Sequence, residues 1–147
     1  MAPCVFCRLM MEGDGALYPV LEDEEAVAFL DHRPLFPGHC LLVPRAHHET
    51  LGDLPAAQVG ALFTRARLLA LAVEKGMAAE GTLVALNNRV SQSVPHLHVH
   101  VVPRRRGDGL RGFFWPRQKY ESPEDMRRVQ EQVRSAVDAA RAAEAAP

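Results

Sequence analysis

Ser93 to Arg104 reads SVPHLHVHVVPR, an apolar run in which a histidine stands at every second position. Strand geometry sends alternate side chains to opposite faces, so His96, His98 and His100 share one face while Leu97, Val99 and Val101 share the other. A polar strand face facing water is ordinarily filled by Thr, Lys or Glu, and three identical imidazoles in that row point to a site. A single zinc cannot hold all three: the outer pair lies about 13 Å apart at strand rise, against zinc–nitrogen bonds of about 2.0–2.1 Å. At most two of them bind any one metal.

The rest of the histidine complement reinforces this reading. All seven histidines fall within two stretches, His32 to His48 and His96 to His100. Near the N-terminus, Cys4 and Cys7 form a C-x2-C pair, a spacing that lets two thiolates reach one zinc from a tight turn. Two small buried residues near a terminus is the other reading of the pair. Three cysteines in all, two of them three positions apart, make a poor disulfide framework and suit a reducing compartment.

Outward from these stretches the chain divides into legible elements. Alternation predicts antiparallel strands at about Leu17 to Leu21 and Ala26 to Leu30, joined by an acidic turn. HRPLFPG, with two prolines and Gly38, is a turn, and HCLLVP a buried strand stopped by Pro44. From Pro55 to about Met77, Val59, Leu62, Phe63, Ala66, Leu69 and Val73 recur at three and four, which predicts one face of a helix. TLVALNN and HLHVHVV supply two more strands. A second helix opens with Ser122 as cap and Pro123 just inside. The sum is an α+β domain: a five-stranded, mostly antiparallel sheet with a central helix packed on it, plus a C-terminal helix.

The 147 residues, 48% hydrophobic and 24% charged, suit one compact domain, with a core at about residues 4–104 and an extension over about 105–147. A net charge of −1 gives no global drive toward nucleic acid or membrane, so anion binding must come from local arrangement. No uninterrupted apolar segment approaches the roughly 20 residues that cross a bilayer. The expected location is the cytoplasm.

HLHVHVVPR, with CVFC, AVAFLDHRPLFPGHCLLVPRAHHETLGDL and NNRVSQSVPHLHVHVVPR in the same order, resembles the histidine triad family of nucleotide hydrolases and transferases over about two thirds of the chain. The resemblance implies a homodimer whose purine nucleotide lies across the sheet with its α-phosphate at the triad. It implies that His98 attacks phosphorus, giving a nucleotidyl-histidine intermediate, that His100 bonds a nonbridging oxygen, and that Gln92 and Ser93 donate to phosphate or leaving group. Displacement at phosphorus wants a nucleophile unprotonated near neutral pH, which neutral imidazole supplies. Asp31 matches the acidic residue that holds the ribose hydroxyls, and Asn87 or Asn88 a polar phosphate neighbour. In zinc-bearing branches the first triad histidine completes a structural site, which implies Cys4, Cys7, His47 and His96 as ligands, with His48 as the alternate to His47. His32, His39 and Cys40 are expected to be packing or turn residues.

Two departures from the family pattern stand out. NNRVSQS replaces a longer loop with a glycine before Gln-Ser, so the phosphate loop is expected to be tighter. More than forty residues follow the triad, where Arg104, Arg105 and Arg106 are candidates to meet distal phosphates and Phe113, Phe114 and Trp115 to stack on a base or a partner subunit; a solvated basic loop with an aromatic anchor is the other reading. A nucleotide-binding regulatory protein with weak activity would keep the same pocket. A dimer module with structural zinc would keep the cysteines without needing His98.

Overall fold

The computed structural model describes residues 4–13, 17–110 and 118–146. The chain forms two units, Met1–Gly109 and Leu110–Pro147. The first contains α1 (Val5–Glu12), β1 (Pro19–Glu22), β2 (Ala26–Leu30), β3 (Cys40–Pro44), a 3-10 turn at Leu51–Asp53, α2 (Ala56–Gly76), β4 (Gly81–Ala85) and β5 (Val99–Arg104). The five strands form one sheet in the order β1-β2-β3-β5-β4, every pairing antiparallel. The second unit contains α3 (Pro123–Ala145), where the Ser122 hydroxyl accepts from the amide of Asp125 at 3.0 Å. Cap and proline sit where the sequence predicts them.

Burial explains why these residues form these elements. Leu42, Leu97, Val99 and Val101 on one sheet face pack against Leu62, Ala66, Leu69 and Val73 of α2; of the other two stripe residues read from the sequence, Val59 is partly buried against them and Phe63 is exposed. Leu42 and Leu97 are fully buried, and each contributes about 2 kcal/mol on burial alone. By length and composition α2 is apolar enough to cross a membrane; here its buried stripe lies on β3, β4 and β5. Arg65 ties α2 to the β1–β2 turn through Asp23 and Glu25, both at 2.7 Å.

The other sheet face carries a smaller cluster, Phe6 with Val27, Phe29, Leu41 and Val43. Phe6 comes from α1, a helix that the sequence reading takes as a tight turn. The Val5–Leu9 and Phe6–Met10 spacing is its signature in hindsight.

Strand limits shift for local reasons. β1 begins at Pro19, after Tyr18 takes φ 49°, and carries an irregularity between Pro19 and Leu21. β5 pairs only from Val99, because the chain before it leaves β3: the Leu97 amide donates to the His48 carbonyl at 2.6 Å instead. Within β5, His100 lies opposite Leu41 on one side and Ala85 on the other.

Candidate active site and metal centre

The alternation read from SVPHLHVHVVPR holds through the unpaired approach to β5, with Leu97, Val99 and Val101 in the α2 core and the histidines on the opposite face. That face is not open to water. His96 and His98 are buried at 0% and 3% exposure, and the Phe6 ring stands edge-on to both, with centroids at 5.9 and 5.5 Å.

Hydrogen-bond partners then determine which nitrogen of each imidazole carries the proton. His98 Nδ1 lies 2.7 Å from the His96 carbonyl, which only accepts, so Nδ1 holds the proton and Nε2 holds a lone pair. His96 Nε2 lies 2.8 Å from the Pro44 carbonyl and is likewise the protonated atom, leaving Nδ1 as its ligating atom.

His100 has the opposite arrangement, set by His39. The Leu35 amide donates to His39 Nδ1 at 3.1 Å, so His39 carries its proton on Nε2 and donates it to His100 Nδ1 at 2.9 Å. His100 therefore presents a protonated Nε2. Asp31 Oδ2 stands 3.7 Å behind His39 Nε2. His39, which the sequence reading leaves to packing, is thus the group that orients His100. Its signal was the histidine clustering; what the sequence hides is that β3 brings it beside β5.

Burial, with the neighbouring His98 and His39, pushes the His100 imidazole down to about 4, and burial lowers His39 against the pull of Asp31. Both are neutral at pH 7. Between about 4 and 6.5 the unfolded chain binds more protons than the folded one, so this stability is fully present above pH 6.5 and is lost as pH falls toward 4. Asp23, held down to about 2 by Arg65, withdraws its own contribution only below about 3.8. Urea unfolding at pH 7.0 and 5.0 is expected to show a loss of about 1 kcal/mol from His100, with allowance for its partial exposure. His100→Asn should flatten that segment; an unchanged slope would refute the assignment.

His98, His100, Ser93 and Asp31 line one cavity of about 480 Å³, walled by Val5, Phe6, Leu9, Phe29 and Leu30. An apolar slot with convergent polar groups at one end suits a flat base with a phosphate.

Gln92 is turned elsewhere: its amide accepts from the Arg89 amide at 2.7 Å and donates to the Glu49 carbonyl at 2.6 Å. Asn87 donates to the Ser91 carbonyl at 3.3 Å and Asn88 accepts from the Leu51 amide at 2.9 Å. All three side chains therefore pin the loop in this structure. That loop turns through Arg89 at φ 68° and Ser91 at φ 60°, conformations in which glycine is at ease.

Cys4, Cys7, His47 and His96 meet as the resemblance implied, their ligating atoms all within 4.8 Å of one another. Sulfur–nitrogen separations are 3.4 Å for Cys4–His96, 3.4 Å for Cys7–His47 and 3.6 Å for Cys7–His96. Tetrahedral zinc with ordinary bond lengths sets such pairs about 3.6 Å apart, so the four residues fit that ion. The Pro44 carbonyl behind His96 Nε2 is the outer partner that holds a ligating imidazole in the needed tautomer. His48 lies outside the group.

The side chains of Arg104 and Arg105 are engaged away from the triad. Arg104 bridges to Asp108 at 2.6 Å, Arg105 donates to the Met77 and Ala78 carbonyls just beyond α2, and the Arg106 amide donates to Glu80. At strand rise Arg105 is about 23 Å along the chain from His98, which places it at the far end of the sheet rather than over distal phosphates. Phe113, Phe114 and Trp115 lie outside the described residues.

Known proteins resemble this chain in sequence and in fold. An adenylylsulfatase of Arabidopsis thaliana is 31% identical over 73% of this chain, which spans 55% of that relative's length. An adenosine 5'-monophosphoramidase of Saccharomyces cerevisiae is 31% identical over 80% of this chain and 73% of its own. A solved zinc-bound histidine triad family protein of Mycobacterium smegmatis is 35% identical, with a TM-score of 0.68 over 91% of this chain and 97% of that one. The HIT domain family matches residues 18–107. With the alternating histidines, the sheet that presents them and this match in agreement, the chain belongs to the HIT family, whose relatives here include proteins named as nucleotide hydrolases.

Proposed function

We propose that the protein is a nucleotide hydrolase or transferase acting at the α-phosphate of a purine nucleotide through a nucleotidyl-histidine intermediate on His98. The observation that carries this reading is the opposed pair of tautomers. His98 offers an unprotonated Nε2 and its neighbour His100 a protonated one, on one wall of one cavity. In-line displacement needs both, a lone pair to form the new N–P bond and a donor for the charge that gathers on phosphate oxygen or leaving group. The His98 Nε2–P bond forms as the bond from phosphorus to the leaving group breaks. Water then attacks phosphorus and gives up a proton to solvent as the N–P bond opens, and free nucleotide and neutral His98 return.

Around that centre, Asp31 at the cavity rim has the acceptor chemistry for ribose hydroxyls, and Ser93 a hydroxyl for the phosphate. Gln92 and Asn87 or Asn88 would serve the phosphate indirectly, by holding the loop that presents Ser93. Zinc, held by Cys4, Cys7, His47 and His96, would supply a structural cross-link and no step of the reaction. A homodimer completes the reading: β4 is an edge strand bearing exposed Val84, and α2 exposes Leu68 and Leu71.

Adenosine phosphoramidate and diadenosine tetraphosphate, assayed side by side, test the function. Release of AMP from at least one, at a rate proportional to enzyme, is the expected result. Turnover of neither, with AMP still bound, would favour the regulatory binding protein.

A further inference from the structure

The two cysteines of the metal group bracket the residue that packs on the nucleophile. Cys4 precedes α1 and Cys7 lies in its first turn, and between them Phe6 is the one buried residue among the eight of α1. Its ring stands edge-on to His98, His96 and Phe29, with centroids 5.5 to 5.9 Å away. Val5 just before it and Leu9 one turn on join it as a wall of the cavity that also holds His98 and His100.

α1 has little else to keep it there. Eight residues are too few for an isolated helix in water, for which about 12–15 are marginal. Its N-cap, Cys4, gives no side-chain hydrogen bond to the first amides of the helix, and its ion pair, Arg8 with Glu12 at 3.7 Å, is internal and exposed. Among the described residues its ties to the sheet are one buried phenylalanine, Met10 at the edge of the same cluster, and the Cys4 and Cys7 thiols. On the sheet side, His96 belongs to the metal group through Nδ1 and accepts from His98 Nδ1 through its carbonyl.

We propose that Phe6 couples the metal group to the nucleotide cavity: with Cys4 and Cys7 held on a metal, the Phe6 ring seats α1 as a wall of that cavity and fixes the His98 imidazole, so that metal and nucleotide bind with mutual reinforcement. Phe6 is a positioning residue here, acting on the reaction through His98 and through the shape of the slot. The coupling rests on the nucleotide reading above. Because binding linkage is reciprocal, whatever factor the metal lends to nucleotide affinity the nucleotide must return to the metal.

The test uses AMP and Zn²⁺ as probes on the full chain. Calorimetry should show AMP binding about tenfold weaker after chelation of zinc, with circular dichroism confirming that the chelated protein is folded, and saturating AMP should tighten zinc by the same factor. A purely structural metal would stabilise the fold without moving AMP affinity in the folded protein. Zinc-loaded Phe6→Ala keeps all four ligands; it should still bind zinc, lose most of the AMP affinity, shift the His98 ring resonances in NMR, and reduce the zinc–AMP coupling to less than about twofold. Phe6→Leu should restore part of it. Equal AMP affinity with and without zinc, or unchanged AMP affinity in Phe6→Ala, overturns the coupling and leaves the nucleotide reading standing. Absence of AMP binding in every form, zinc-loaded wild type included, overturns both.

Discussion

Turnover falls by at least about four orders of magnitude in a His98→Ala variant while AMP binds within about threefold of wild type. The loss is large because, among the described residues, no other side chain on the cavity wall pairs an imidazole Nδ1 to a carbonyl and thereby leaves Nε2 unprotonated toward the slot. Binding survives because the apolar wall and Asp31 are untouched. Alanine leaves the buried His96 carbonyl without its donor, at about 1–3 kcal/mol, so His98→Asn, whose amide can still donate, separates lost chemistry from lost stability. Both variants should be inactive, and the asparagine should melt closer to wild type. Wild-type turnover in either, with fresh protein, rules out the nucleophile.

The second large effect is thermal. Cys7→Ser is expected to lose zinc, measured by elemental analysis of purified protein, and to melt about 10 °C lower. Structural zinc contributes folding free energy directly, but here it cross-links one short helix to a sheet with its own core, so the loss should be about 3 kcal/mol rather than the whole fold. Zinc-free wild-type protein of full stability would refute the assignment. Val5→Ser beside it, with all ligands intact, should retain the metal.

Most of the fold was legible because it is written in short-range periodicity. The alternation through Leu97, Val99 and Val101 and the spacing of Leu62, Ala66, Leu69 and Val73 depend only on local geometry, and each packs on the side its period requires. The four candidate zinc ligands also converge as the family resemblance implied; the C-x2-C pair is a local pattern, whereas the choice of His47 and His96 rested on the resemblance. What the sequence concealed needs the antiparallel pairing of β3 with β5. That pairing sets His39 against His100, and without it His39 is one more polar residue after a glycine. α1 was hidden for a different reason: eight residues with one buried side chain carry too little periodicity to stand out from a turn. Gln92 shows the limit of motif spacing, because its position is kept while its amide is spent on the loop backbone.

His100 lies opposite residues of two neighbouring strands at once, Leu41 and Ala85, and this gives the triad strand something like a reading frame. Deleting or inserting one residue between His96 and Val102 would exchange the two faces downstream of the change, turning imidazoles into the α2 core and valines into the cavity. The same one-residue change among Asn87 to Ser91 would disturb the loop's own hydrogen bonds but leave the two faces of the strand as they are. A change of length before the strand is therefore a local matter, whereas within it only substitution keeps the protein in frame.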